Sequence, residues 1–215
     1  DSLIVSTNVV GTKYYQIVAT ASGVGCGSAT SSTSTITVVP VLGVTVNVPN
    51  ITVCEGGNAT ITATTTNATG TITYQWQQSS NNVTWTNIAG QTGTSYTANT
   101  STADTTYYRI VATASGIGCG SDTSTVSTVI VVPNLSVNVN VPSLILCEGG
   151  LIQIDAATTN GTGTITYQWK ESSNNVSFTD ISGATGDSLL VPTNVVGTKY
   201  YQIVATASGV GCGSA

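Results

Sequence analysis

The stretch "GTITYQWQQSSNNVTW" at residues 70–85 returns as "GTITYQWKESSNNVSF" at 163–178, a shift of 93 residues. Inside it Ile72, Tyr74 and Trp76 alternate with polar residues, and Ile165, Tyr167 and Trp169 repeat the pattern. Alternation at period two predicts an extended strand with one buried face. "TNATG" (66–70) before it and "SSNN" (79–82) after it supply turn residues, so the strand stands between two reversals of the chain.

The repeat reaches well beyond this strand. Residues 49–93 align without gaps on 142–186, and the same shift carries Tyr14-Tyr15 onto Tyr107-Tyr108 and Tyr200-Tyr201. Before the Trp strand, Ala59, Ile61 and Ala63 mark an inward face, repeated by Ile152, Ile154 and Ala156. After it, Tyr108, Ile110 and Ala112 mark another, with Arg109 outward. A unit of about 93 residues is too long for a solenoid repeat and fits a β-sandwich. Thr, Ser, Val, Ala, Gly and Asn dominate, no window has a capped helical period, and the chain is expected to be all-β. A Trp in strand C and a Tyr at the start of strand F predict immunoglobulin-like sandwiches, although Ile61 or Ala63 and Ile110 occupy the positions that carry the antibody disulfide.

The expected division is the C-terminal part of one repeat (1–40), a complete repeat (41–133) and a repeat lacking its last strand (134–215). Residues 1–29 and 187–215 differ only at Ile4/Leu190 and Ser6/Pro192, a second-neighbour likeness that suggests duplication of a two-domain block. "VVPVLGV" and "VVPNLSV" join successive units without a Gly/Ser-rich tether, which predicts a stiff head-to-tail rod.

Four basic residues face nine acidic ones, a net charge of -5, and no basic stripe is present to neutralise phosphates. Nucleic acid is excluded as a partner. No apolar run nears the roughly 18 residues that span a bilayer, so this segment is not expected to insert in a membrane. The start at Asp1 without a Met suggests a piece of something longer, with signal and anchor elsewhere. With no His there is no Ser-His-Asp or Cys-His arrangement. Glu55 and Glu148 stand single in their turns and read as solvated turn residues, leaving no carboxylate pair or calcium cage. No enzyme activity, metal or cofactor is expected. The N-x-S/T sequons at Asn58, Asn82 and Asn175 read as by-products of an Asn/Thr-rich surface.

The five cysteines, without His or C-x-x-C spacing, point to disulfides and an oxidising compartment. Cys26, Cys54, Cys119, Cys147 and Cys212 are spaced 28, 65, 28, 65. Sequence distance suggests Cys54 with Cys119 and Cys147 with Cys212, inside units. In a sandwich, however, a residue before strand B and one past the F-to-G bend lie at opposite poles, on the order of 25 Å apart at strand rise, too far for a disulfide. Head-to-tail stacking instead sets Cys54 against Cys212 of the next unit. Both schemes stay open, and both place the partner of Cys26 upstream of the chain.

The aromatics divide by face. Trp76 and Trp169 share a face with Ile72 and Ile165 and belong to cores. Trp85 and Phe178 follow Val83 and Val176 at period two, which favours packing; exposed, they are the candidates for glycan contact. Tyr107 and Tyr200, opposite Tyr108 and Tyr201, come next.

The pattern "CEGG…ITATTT…YQW…TTYYRIVA…GCGS" resembles the Ig-like repeats of giant surface proteins of Bacteroidota exported by the type IX secretion system. That resemblance implies an extracellular, outer-membrane-associated filament serving attachment and gliding. Its partners would be neighbouring repeats, surface polysaccharide or a substratum, and secretion and gliding machinery elsewhere in the parent protein. It also implies an O-glycosylation consensus, matched at Ser2 and Ser188 ("DSL") and Thr105 ("DTT"). Two rival classes are a carbohydrate-binding or spacer array on a secreted polysaccharide-degrading enzyme, and a self-assembling extracellular fibre subunit.

Overall fold

The computed structural model describes residues 2–23, 27–68, 70–115, 120–141, 143–209 and 212–215. These residues form strands and turns without a helix, built where Thr, Val, Ile and Tyr alternate. The chain is an all-β, immunoglobulin-like protein.

The N-terminal segment makes β1 (Gly11–Tyr15), β2 (Val18–Thr20), β3 (Ser28–Thr30) and β4 (Ser34–Val38). Among the described residues they pair as β1 with β4 and β2 with β3, a two-stranded ribbon interrupted in the middle.

A first strand set follows: β5 (Gly43–Val46), β6 (Asn50–Cys54), β7 (Thr60–Thr66), β8 (Ile72–Ser79), β9 (Thr86–Asn87), β10 (Ser95–Thr97), β11 (Asp104–Ala114), β12 (Ser121–Thr123) and β13 (Ser127–Val132). One sheet runs β10-β7-β5 and the other β6-β13-β11-β8-β9, with β12 also on β11. The chain switches sheets at Asn47–Pro49, since a Pro without N–H cannot continue a ladder. Here β5 leaves β7, and β6 joins β13 in parallel register from Thr128↔Asn50 to Val132↔Cys54. This second half of strand A was not anticipated from the alternation pattern. Ser127, fully buried, donates its hydroxyl to the Val48 carbonyl at 2.5 Å and pins the crossing.

Between the sheets Leu42, Ala59, Ile61, Trp76, Tyr108, Ile110, Ala112 and Val129 form the core. Fully burying an aliphatic side chain such as Leu42, Ile61, Ile110 or Val129 contributes about 1.5–3 kcal/mol. The inward faces expected of the B, C and F strands are the faces observed. Gln75 explains the "YQW" spelling: its amide donates to the Trp76 and Ile88 carbonyls at 2.8 Å each and ties β8 to the segment after β9. The Trp76 indole donates to the Gly93 carbonyl at 2.9 Å, so its burial leaves no orphan donor.

The second set comprises β14 (Ser136–Val139), β15 (Leu151–Thr159), β16 (Ile165–Ser172), β17 (Thr179–Asp180), β18 (Ser188–Pro192) and β19 (Tyr200–Ala207). Its sheets are β14-β15-β18 and β17-β16-β19 around Trp169, Leu189, Val191 and Ile203. Gln168 and the Trp169 indole repeat the bonds of Gln75 and Trp76. Residues 143–147, the repeat counterpart of β6, form no strand, and Ile145 is 98% exposed. No described strand stands beside them where β13 stands beside β6.

At one repeat position, Ile110 is 0% exposed inside the first set, whereas its counterpart Ile17 is 63% exposed on the N-terminal ribbon, which no second sheet of the described residues covers.

Two expectations need correction. Val83 and Val176, on which the expected packing of Trp85 and Phe178 at period two rests, are 78% and 81% exposed at turn tips, although Trp85 and Phe178 themselves are half-buried. Asn82 and Asn175 just before them take positive φ, 57° and 59°, which breaks the strand period. Glu55 is not a solvated turn residue: it is half-buried, and its carboxylate accepts the Ala103 N–H at 3.0 Å.

Candidate functional site: the stapled joint

A polar construction outside the cores surrounds "CEGG" at 54–57. Cys54 closes β6, and the Glu55 N–H continues the ladder to the Val132 carbonyl at 3.0 Å. The chain must then reverse. Gly56 sits at φ +80°, and a Cβ on Gly57 would approach the Cys54 carbonyl oxygen to 2.9 Å, so both positions exclude side chains. Thr100 clamps the loop: its carbonyl accepts the Gly56 N–H at 2.9 Å, and its hydroxyl donates to the Gly57 carbonyl at 2.7 Å. Asn134, the residue after the interunit Pro, donates its amide to the Glu55 carbonyl at 3.3 Å. The linker is thereby tied to the loop it leaves.

Cys54 and Cys212 are joined in a disulfide, with Cα atoms 5.2 Å apart and a sequence separation of 158. The bond connects the end of β6 in the first set to the turn after β19 in the second. Since Cys212 is taken, the alternative pairing of Cys147 with Cys212 is excluded. Stacking puts those poles together, whereas sequence distance had favoured partners at opposite ends of one sandwich. Cys147 is free and exposed. Cys26 and Cys119 lie outside the described residues, so the pairing of Cys54 with Cys119 is set aside only because Cys54 has another partner.

The linker leucines anchor the chain in the units they enter. Leu42 is buried in the first core, and Leu135, its repeat counterpart, is buried with Ala205 and Ala207 at the top of the second. Asn67 donates to the Val41 carbonyl at 3.0 Å, so the turn between β7 and β8 also holds the incoming chain. Asp122 bridges the two sheets of the first set by accepting the Val44 N–H at 2.7 Å.

The other sequence-marked residues are not gathered at this joint. Trp85 is half-buried on the outer face, and the Arg109 guanidinium lies 4.2 Å from its ring centroid. That cation covers one face of the ring that a sugar would use. Phe178 is half-buried at the equivalent place, where Gln202 replaces Arg109. Ser2 and Ser188 are exposed; Thr105 is half-buried within β11, opposite Ile130 of β13. Tyr200 is part exposed at the start of β19.

Buried phenols mark the first core. Burial pushes Tyr108 up to about 12, helped by neighbouring Tyr96, and burial also raises Tyr96. The Tyr96 and Tyr108 ring centroids are 5.3 Å apart. No group of three or more His, Cys, Asp or Glu among the described residues is arranged to hold a metal ion. No helix among them is long and apolar enough to cross a membrane.

A family model described as Domain of unknown function (DUF8696) matches residues 44–133 and again 143–215. No curated protein matches the chain. Among solved structures, the N-terminal four Ig domains of Dscam1 isoform 6.9 are 14% identical with a TM-score of 0.37, over 80% of this chain and 44% of that one. The chain therefore spans less than half the length of that structure. Fibronectin(III)-like modules of Clostridium thermocellum CbhA are 15% identical (TM-score 0.32, 80% and 88% covered). The two tandem V-type regions of VCBP3, a v-region-containing chitin binding protein, are 13% identical (TM-score 0.29, 81% and 95% covered).

Proposed function

The chain belongs to the family of unknown function DUF8696, matched in tandem, and we propose that it is a structural segment of a long extracellular filament built from head-to-tail Ig-like domains. The domains of this reading are 1–40, 41–133 and 134–215. The observation that carries it is the Cys54–Cys212 bond, which joins successive strand sets rather than the two sheets of one. A disulfide within one sandwich stabilises that sandwich; a bond across a joint suppresses hinging. The buried linker residue Leu135 and the Asn134–Glu55 hydrogen bond act in the same direction.

A disulfide-bonded, low-charge, hydroxyl-rich surface suits an oxidising, extracellular setting. The role proposed is structural rather than enzymatic. The finer identity rests on the repeat motifs alone: they resemble those of the gliding-motility adhesin SprB, which gives the filament a role in surface attachment and gliding. On that reading Ser2, Ser188 and Thr105 are O-glycosylation acceptors, and Trp85 and Phe178 the residues to test against surface polysaccharide.

Distances between spin labels placed on β9 and β17 test the rod. The oxidised protein should give one narrow distribution that broadens on reduction while circular dichroism is unchanged. A broad distribution in the oxidised protein would sink the proposal.

A further inference from the structure

The core of the first set runs out into a polar cleft. Along β11 the inward residues Ala112, Ile110 and Tyr108 continue on the same face as Thr106 and Asp104. On β8 the row of Ile72, Tyr74 and Trp76 continues as Gln78, which stands opposite Tyr108 in the ladder. Beyond Tyr108 a cleft of about 530 Å³ opens, walled on its other side by Asn99, Ser101 and Thr102 of the loop between β10 and β11. Its size lies within the ~300–1,000 Å³ of small-molecule sites, but its walls are polar where such sites are mostly apolar.

Both walls are held from behind. Thr100 and Ala103 are tied to the CEGG loop, and on the opposite wall the Asn81 side-chain oxygen accepts the Val83 and Thr84 N–H groups at 2.9 Å each. The groups that face the cleft are not consumed in this bracing. Asn99 accepts the Ser101 N–H on its Oδ1 at 3.0 Å and keeps its amide donors. Asp104 accepts the Thr105 N–H on its Oδ1 at 2.7 Å and keeps its other oxygen. Gln78, Ser101 and Thr102 are exposed, and among the described residues their side chains have no hydrogen-bond partner. A ligand would therefore meet fixed, unspent donors and acceptors, which lowers the ordering cost of binding.

The lining sorts the ligands. It holds no cation, and Asp104 places a negative charge in it, so phosphate, sulfate and uronate groups are repelled. Apart from Ala103 and the Tyr108 ring its side chains are polar, so an apolar ligand gains little. A neutral ligand with closely spaced hydroxyls fits: amides donate to it, hydroxyls do both, and the carboxylate accepts a charge-assisted bond. We propose that this cleft binds a neutral saccharide, held between Asp104 and Gln78 on one side and Asn99, Ser101 and Thr102 on the other. The site is separate from Trp85, since Thr84 and Thr86 line the cleft while Trp85 between them stacks with Arg109 on the outer face.

The repeat supplies a counterpart without these groups. In the second set Glu171 and Lys199 stand where Gln78 and Thr106 stand, and they pair with each other at 2.8 Å. Val195 and Gly197 replace Thr102 and Asp104. The carboxylate at this end of the second set is committed to a lysine, and the loop opposite has lost its hydroxyl. Sugar binding is thus assigned to the first set and not to its neighbour. The assignment goes beyond the stalk reading and does not depend on it, because a rigid joint neither requires nor forbids an occupied cleft.

Amide NMR of the whole chain, titrated with glucose, galactose, mannose, xylose and disaccharides of each, reads the outcome residue by residue. At least one sugar should shift Gln78, Asn99, Ser101, Thr102 and Asp104 with a Kd of about 1 mM. Glu171, Asn194 and Val195 in the same chain should stay still, and glucuronate should shift none of the cleft. Asp104→Ala removes a hydrogen bond to a charged group and should weaken binding about tenfold or more. Gln78→Glu with Thr106→Lys, which installs the ion pair of the second set, should abolish it. The proposal is overturned if no neutral sugar shifts the cleft, if glucuronate binds as well as glucose, or if Asp104→Ala binds as the parent does. Shifts with glucosamine alone would make the cleft a cation site and overturn it equally.

Discussion

The two strand sets share a repeat, yet they hold the outer face of the C and F strands together with different chemistry. In the first, Asn87, Gln77 and Arg109 form a row: Gln77 donates to Asn87 at 2.9 Å, and Arg109 donates to Gln77 at 2.7 Å. In the second, the same positions hold Asp180, Lys170 and Gln202, and Lys170 pairs with Asp180 at 2.9 Å. Inside, Tyr96 of the first core becomes Leu189 in the second, so a Trp76–Tyr96–Tyr108 aromatic column is replaced by Trp169, Leu189 and Tyr201. What does not vary is the wiring of the Gln and Trp on strand C. The repeat therefore conserves the bonds that place a buried polar group, where an unmet donor costs about 1–3 kcal/mol. It lets the solvent-facing rows change partners.

The largest difference between the sets lies at their cysteines. Cys54 is bonded and Cys147 is free. Replacing Cys54 and Cys212 together with Ser should destabilise the chain by roughly 5 kcal/mol in the chain-entropy limit for so long a loop. Calorimetry should show one transition splitting into two as the sets uncouple. Cys147→Ser should leave the trace unchanged. A double variant that still melts in one step would show that packing at the joint, not the bond, couples the sets.

The tryptophans come next. Trp76 and Trp169 are both fully buried with satisfied indoles, so either change to Ala should cost about 3–5 kcal/mol in its own set. Hydrogen exchange resolved by strand checks this in the Cys54→Ser, Cys212→Ser background, where the sets are uncoupled, with the loss confined to β5–β13 for Trp76→Ala and to β14–β19 for Trp169→Ala. Equal loss in both sets for either variant would mean that they fold as one unit.

The phenols separate the sets more finely. Between pH 10 and about 12 the unfolded chain gives up the Tyr108 proton while the folded set keeps it, so stability falls across that window. Below pH 10 this contribution is fully present. A shift of this size corresponds to about 2–3 kcal/mol. Burial raises Tyr201 in the same direction, but the Lys199 charge opposes it, so the second set should lose less. Denaturation at rising pH, compared with Tyr108→Phe, measures the difference.

Much of this was legible in sequence because burial alternates: Ile61, Trp76, Tyr108 and Ile110 declare themselves through their spacing. The joint was legible as geometry, since poles follow from strand order once the repeat is seen. What alternation could not show was the second half of strand A. Asn50–Cys54 pairs parallel to a strand 78 residues away, and no local pattern encodes a parallel partner. Nor could it show that Glu55 caps a backbone N–H from the loop before strand F, or that Trp85 lies under Arg109. Both depend on residues brought together only by the finished sheets.

The smallest expected effect tests whether the outer rows are interchangeable. Transplanting Lys and Asp into the first set (Gln77→Lys with Asn87→Asp) replaces a neutral amide bond by the ion pair seen in the second. It also removes the acceptor that Arg109 uses at Gln77 and sets a second cation beside it. An exposed pair contributes at most about 1 kcal/mol and is screened by salt. The loss of the Arg109 bond is of the same order. The transplant should therefore be neutral to slightly destabilising, and adding Arg109→Gln, which completes the row of the second set, should restore it. The restored variant should also weaken with rising salt, as the parent should not, because only it relies on opposite charges across β8 and β9. If the triple variant stays destabilised at low salt, the Arg109–Trp85 stack holds that face together, and the two rows are not equivalent.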